Sequence, residues 1–148
     1  MEIVEITQVT PEVTQAFQRL TPQLSSSAAI PTDEELQDIA ASRASILLMA
    51  RDPEQNGKFV GSLTLVVFRS PTGVRAWIED VVVDTQLRGR GIGETLTRAA
   101  LERARQEGAK TVDLTSRPSR EAANRLYQRV GFVQRVTNLY RYDLEKKT

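Results

Sequence analysis

Between the apolar run Val81, Val82, Val83 and a long stretch of helical periodicity lies RGRGIG, Arg88 to Gly93. Three glycines and two arginines at a strand-to-helix junction are the parts of an anion site. Glycine lets the main chain approach a phosphate and take dihedral angles that other residues resist. The first N–H groups of a helix lack internal partners and carry the positive end of its dipole. Arg88 and Arg90 add charge, and a guanidinium grips phosphate through two parallel hydrogen bonds. Alone, these six residues also fit a glycine-rich turn whose arginines are merely solvated.

Spacing excludes two nucleotide signatures. From Gly89, the dinucleotide fingerprint G-x-G-x-x-G needs a third glycine at the position of Glu94, and no β-α-β unit precedes it. The P-loop G-x-x-x-x-G-K-[ST] fails at the same site, with Glu94-Thr95 where Gly-Lys is needed. What remains is Arg-x-x-Gly-x-Gly.

Composition narrows the chemistry further. The 148 residues include no cysteine and no histidine, which removes disulfides, thiolate metal sites, Cys nucleophiles and Ser-His-Asp catalysis. No metal is expected. A net charge of +1 argues against a dedicated nucleic-acid binder, although Arg88, Arg90 and Arg98 keep that reading open for comparison. The longest apolar runs fall far short of a membrane span. MEIVEITQVTPE lacks the basic and apolar regions of a signal peptide, so the expected location is cytoplasmic.

The elements that must position the glycine loop follow from periodicity. EIVEI alternates as a strand, and PEVTQAFQRL has helical spacing behind Thr10 as N-cap. TPQLSSSAAIPT, Thr21 to Thr32, has the composition of a long loop. A second helix starts at Asp33. SILLMARD, KFVGSLTLVVFR and VRAWIEDVVVD read as an antiparallel meander with turns at Pro53–Gly57 and Pro71–Gly73. Ile92, Leu96, Ala99, Ala100 and Ala104 form one helical face, with Glu94–Arg98 and Arg98–Glu102 as charge pairs opposite and Gly108 just past the end. TVDLTS is a strand, SREAANRLYQRV a helix and TNLYRYDL a final strand, with a short extra strand allowed at Phe132–Arg135. The order predicts an α/β (α+β) domain on a mixed sheet, with one parallel crossover.

The stretch VVVDTQLRGRGIGETLTRAALERARQEGAKTVDLTSRPSREAANRLYQRVGF resembles the core of the GNAT superfamily of N-acetyltransferases. Their signature Arg/Gln-x-x-Gly-x-Gly/Ala follows a strand and opens a helix, and a later helix carries a tyrosine shortly before Gly-Phe. The strong match runs from about Trp77 to Val133. The resemblance implies a centrally splayed sheet flanked by about four helices, a single domain over residues 1–148, and acetyl-CoA as cosubstrate. Arg88, Gly89, Arg90, Gly91, Ile92 and Gly93 would hold its pyrophosphate. Val81, Val82 and Val83 would offer backbone groups to the pantetheine arm, and an N–H near Val82 would polarise the thioester carbonyl.

The same resemblance assigns roles to two side chains. Glu79 is the leading base, acting through water on the acceptor amine. Strict alternation places Trp77, Glu79, Val81 and Val83 on one face; a bulge would shift this by one and make Asp80 the reserve. Tyr127 is the candidate general acid for the departing thiolate. Asn124, one turn before it, would reach the cofactor. Arg120 stands where many members carry asparagine, which puts that contact in doubt. Arg117 faces either a phosphate or a substrate carboxylate, or is simply solvated.

The leading function is acetyl transfer to a primary amine of a small molecule. IEDVVVD also resembles the corresponding strand of glucosamine-phosphate N-acetyltransferases, so an amino-sugar phosphate is one acceptor to test. A peptide or protein N-terminus is another acceptor, and a non-catalytic acyl-CoA-binding regulatory module is the alternative of a different class. For a homodimer, the final strand and the early loop are the candidate contact surfaces.

Overall fold

The computed structural model describes residues 1–146. Five strands form one sheet in the order β1-β2-β3-β4-β5. They are β1 (Glu2–Glu5), β2 (Ser45–Asp52), β3 (Lys58–Ser70), β4 (Gly73–Val83) and β5 (Val112–Asp113). The first three pairings are antiparallel, and β4 with β5 is parallel. The turns that separate β2, β3 and β4 fall at the Pro/Gly/Asn clusters because those residues supply the required angles. Asn56 and Gly57, for example, have φ of 57° and 71°.

Four helices cover the sheet: α1 (Pro11–Leu24), α2 (Asp33–Ala41), α3 (Ile92–Gln106) and α4 (Glu121–Val130). One core lies under α3, where Ile92, Leu96, Ala100 and Ala104 pack against Leu63, Leu65 and Ile78. The other lies under α1 and α2, where Val13, Ala16, Leu20 and Leu36 pack against Met49, Phe59 and Val82. The helix α2 begins with a capping box, Thr32 and Glu35 each bonding the other's backbone N–H.

Gly61 on β3 sets how close α3 can sit. A Cβ there would stand 3.1 Å from Leu96 Cδ1 and 3.2 Å from the Val82 carbonyl oxygen. The helix therefore starts hard against the sheet, beside the end of β4.

Several sequence expectations need correction. The helix α1 does not stop at Leu20 but continues through Pro22 to Leu24. Leu20 and Thr21 are buried, and Leu24 packs on the same core, so burial outweighs the helix-breaking cost of proline. Thr10 flanks the helix, but its side chain makes no capping bond. Glu94 pairs with Arg98 as expected, whereas Glu102 pairs with Arg105 at 2.6 Å. Neither TNLYRYDL nor Phe132–Arg135 forms a strand; from Phe132 to Tyr142 the chain has no regular structure. Alternation makes a segment able to pair, but a strand also needs a neighbouring edge.

Candidate acetyl-CoA site

The strand β4 carries the irregularity that shapes the site. Its register with β3 shifts between Ser62 and Thr64: Thr64 pairs with Glu79 and Ser62 with Val82, so Asp80 and Val81 together face Leu63. Asp80 has φ of 52°, and this left-handed residue is the bulge. Strict alternation fails here as a result. Val81 and Val83 join Ala76 and Ile78 on the α3 side, while Val82 crosses to the α1 side. Glu79 and Asp80 are both exposed at the kink.

The sheet opens at the same level. Pairing between β4 and β5 is confined to Ala76 with Val112 and Trp77 with Asp113. Beyond Trp77 the far edge of β4 has no strand beside it among the described residues. A groove of about 760 Å³ fills the opening, bounded by Val81–Val83, by Gly89, Gly91 and Gly93, and by Tyr127 on α4. The bulge and the splay thus expose main-chain groups of one short segment next to the loop.

The glycines of the loop give its backbone an unusual course. Gly89 and Gly91 have φ of 81° and 78°, and Gly91 is the N-cap residue that precedes α3. No neighbour lies within 4 Å of a Cβ built at either position, so the angle and not the space calls for glycine. Gly93 is the opposite case: its Cβ would meet Leu126 Cδ1 at 3.3 Å and Val83 Cγ2 at 3.8 Å. The first turn of α3 therefore offers bare N–H groups to the groove. Diphosphate needs donors at close range, and this donor set fits it.

Charge around the groove has the matching sign. Arg88, Arg120, Arg125 and Arg129 border it, with Glu121 as the one carboxylate among its lining residues. Arg88, Arg120 and Arg125 make no ion pair among the described residues, which leaves their guanidinium groups available to phosphate. Arg129 reaches Glu94 at 3.4 Å and ties α4 to α3. The Glu94 carboxyl is held below its ordinary range, first by its hydrogen bond from Arg98 and further by Arg129. Arg90 lies outside the lining and pairs loosely with Glu54 at 3.8 Å.

Tyr127 stands where two grooves meet. Its ring packs edge-on against Phe132 at a centroid distance of 5.7 Å. Burial pushes its phenol above the ordinary tyrosine range, opposed in part by the positive charge of Arg120. It is consequently a protonated donor at neutral pH. Asn124 borders the second groove, and its side-chain amide donates to the Arg117 carbonyl at 2.9 Å. That bond holds the loop ahead of α4. Arg117 itself is exposed.

Residues absent from the sequence reading complete the wall. Gln23, near the end of α1, lines the groove, and its side-chain carbonyl accepts from the Thr85 N–H at 2.8 Å. Arg19, one turn earlier, donates to Asp84 at 3.2 Å and to the Phe59 carbonyl. The first helix thereby anchors the loop that leads into RGRGIG. No local pattern announces a contact spanning sixty residues. Arg125 and Arg129 were legible in principle, since they sit four apart beside Leu126 on an amphipathic helix.

Known proteins share this arrangement. Residues 11–132 match the acetyltransferase (GNAT) family. The chain is 30% identical over 139 residues to glucosamine 6-phosphate N-acetyltransferase 1 of Oryza sativa subsp. japonica, an alignment covering 88% of this chain and 81% of that one. It is 35% identical over 91 residues to N-alpha-acetyltransferase 30 of Schizosaccharomyces pombe, covering 60% of this chain and 59% of that one. An acetyltransferase structure from Trypanosoma brucei superposes with a TM-score of 0.73 at 26% identity, over 97% of this chain and 99% of the other. The structure of glucosamine-6-phosphate N-acetyltransferase from Arabidopsis thaliana shares the fold, with a TM-score of 0.76 at 20% identity over 95% and 97%. The chain belongs to the GNAT acetyltransferase family, and its class of chemistry is acyl-CoA-dependent transfer to an amine.

Proposed function

We propose that this protein transfers the acetyl group of acetyl-CoA to a primary amine of a small molecule, by direct attack in the splayed groove. The carrying observation is that one groove joins the open edge of Val81–Val83, the glycine loop and Tyr127. When bound, acetyl-CoA supplies an acyl thioester, and everything else is done by this chain's own residues.

The N–H groups at the start of α3, with Arg88, hold the diphosphate. Val81 to Val83 would hold the pantetheine through backbone hydrogen bonds, and a main-chain N–H beside the Asp80 bulge would polarise the thioester carbonyl. Glu79, exposed at the kink, takes the amine proton through water. Tyr127 donates a proton to the sulfur, and its burial keeps that proton in place below alkaline pH. Arg120 and Arg125 neutralise the remaining phosphate charge. The enzyme acts in the cytoplasm, where acetyl-CoA is available.

An amino-sugar phosphate is the first acceptor to test. Support comes from the rice relative, whose alignment takes in 88% of this chain. A protein N-terminus is the second reading, favoured by the fission-yeast relative over a shorter stretch. The deciding experiment is release of free CoA across a panel containing glucosamine 6-phosphate, simple amines and short peptides. Turnover lowered about 10²-fold or more by Tyr127→Phe supports the mechanism. Tight acetyl-CoA binding with no turnover on any amine would instead establish a regulatory binding module.

A further inference from the structure

The chain between β4 and the start of α3 divides sharply at Leu87. Every backbone N–H from Asp84 to Leu87 has a partner. Asp84 donates to the Val60 carbonyl at 2.8 Å and Thr85 to the side-chain oxygen of Gln23 at 2.8 Å. Gln86 donates to the Asp84 carboxylate at 3.2 Å, and Leu87 to the Asp84 carbonyl at 2.9 Å. The Leu87 side chain is buried in the core under α3. From Arg88 to Glu94 no backbone N–H has a partner among the described residues. A fully bonded turn thus ends where the unbonded donors begin.

Two side chains of α1 hold that turn from outside. Arg19 and Gln23 are one helical turn apart and share a face. Arg19 donates through Nε to Asp84 at 3.2 Å and through Nη2 to the Phe59 carbonyl, which joins the end of β4 to β3. The Asp84 side chain is only 13% exposed, and Arg19 is its one ion-pair partner among the described residues. Gln23 is held at both ends. Its amide nitrogen donates to the Arg19 carbonyl at 3.1 Å, and its oxygen receives the Thr85 N–H. The buried face of α1 is formed by Val13, Ala16, Leu20 and Thr21, so neither residue belongs to the face that packs the helix.

We propose, on the reading of this groove as an acetyl-CoA site, that Arg19 and Gln23 are positioning residues for the donor's diphosphate, acting through Asp84 and Thr85. With the turn fixed, Arg88 and the free N–H groups after it stand in one arrangement before the diphosphate arrives. Binding then has no loop to order. Without the two side chains the donor set is the same, but it must be gathered from a loosened turn, and affinity falls.

The test compares the full wild-type chain with Arg19→Met, Arg19→Lys and Gln23→Met. Each is titrated with CoA well below its melting temperature, and amide hydrogen exchange is followed without ligand. Arg19→Met and Gln23→Met are expected to raise the Kd about tenfold, the equivalent of one hydrogen bond's net contribution. Arg19→Lys keeps the charge but cannot span both acceptors, and its Kd falls between. In the free variants the amides of Thr85, Gln86 and Leu87 are expected to exchange faster, while those of β2 and β3 keep their protection. Gln23→Met strands no charge, so it carries the test if Arg19→Met, which leaves Asp84 unpaired, fails to fold. An unchanged Kd in the folded variants, or faster exchange spread evenly over β2 and β3, would overturn the positioning role and leave the acetyl-CoA reading standing. Wild type that does not bind CoA would overturn both.

Discussion

Gly93 on α3 and Leu126 on α4 touch so closely that a methyl group on the glycine would lie 3.3 Å from Leu126 Cδ1. This contact fixes the spacing between the glycine loop and the helix that carries Tyr127. Gly93→Val is therefore predicted to push α4 outward. Overpacking of this kind costs about 1–3 kcal/mol, and an equal loss in binding is about a 5-fold to 150-fold rise in the acetyl-CoA Kd. Fluorescence or calorimetric titration checks it, and Gly93→Ala should fall between the two.

Gly61 makes a separate prediction about the scaffold. Gly61→Ala sets a methyl group against the Val82 carbonyl and Leu96, and one of those neighbours is backbone that cannot swing aside. The expected loss is about 1–3 kcal/mol of stability, read as a lower denaturation midpoint with an unchanged m-value.

The bulge separates two adjacent acids. Asp80→Val forces a β-branched residue to φ near 52°, with a cost of about 1–2 kcal/mol. Asp80→Gly should fold as well as wild type and keep its activity. Glu79→Gln is expected to lower kcat/KM about 10²-fold or more, by removal of a general base, with little change in melting temperature. Steady-state kinetics on the three variants separates base from bulge. If Asp80→Gly is the inactive one, the roles are reversed.

Tyr127 predicts a pH profile. Burial raises its pKa, so the protonated phenol persists above the ordinary tyrosine range and kcat falls only at strongly alkaline pH. Removing the opposing charge with Arg120→Gln moves that limb still higher. Tyr127→Phe abolishes the limb and lowers kcat about 10²–10⁴-fold. A limb that stays in place in the phenylalanine variant would assign it to another group.

Much of the fold was legible because its signals are local. The meander β2-β3-β4 is punctuated by Pro53–Gly57 and Pro71–Gly73, and α3 announces itself by Ile92, Leu96 and Ala100. The glycine loop was legible for the same reason. The inward turn of Val81 was not, because one residue in the left-handed region reverses every face after it, and Asp80 gives no compositional warning. Helix α1 crossing Pro22, and Gln23 reaching Thr85, depend on contacts distant in sequence. For TNLYRYDL the alternation was visible, but no strand forms there, because alternation gives a segment the ability to pair and not a partner.

The central claim is that the Arg88–Gly93 loop and the open end of β4 hold acetyl-CoA. Its most direct measurement is isothermal titration of acetyl-CoA into wild type, Arg88→Ala and Gly93→Val. The account predicts one molecule bound per chain, with affinity weakened in both variants. No binding heat at several temperatures, or equal affinity in all three proteins, would contradict it.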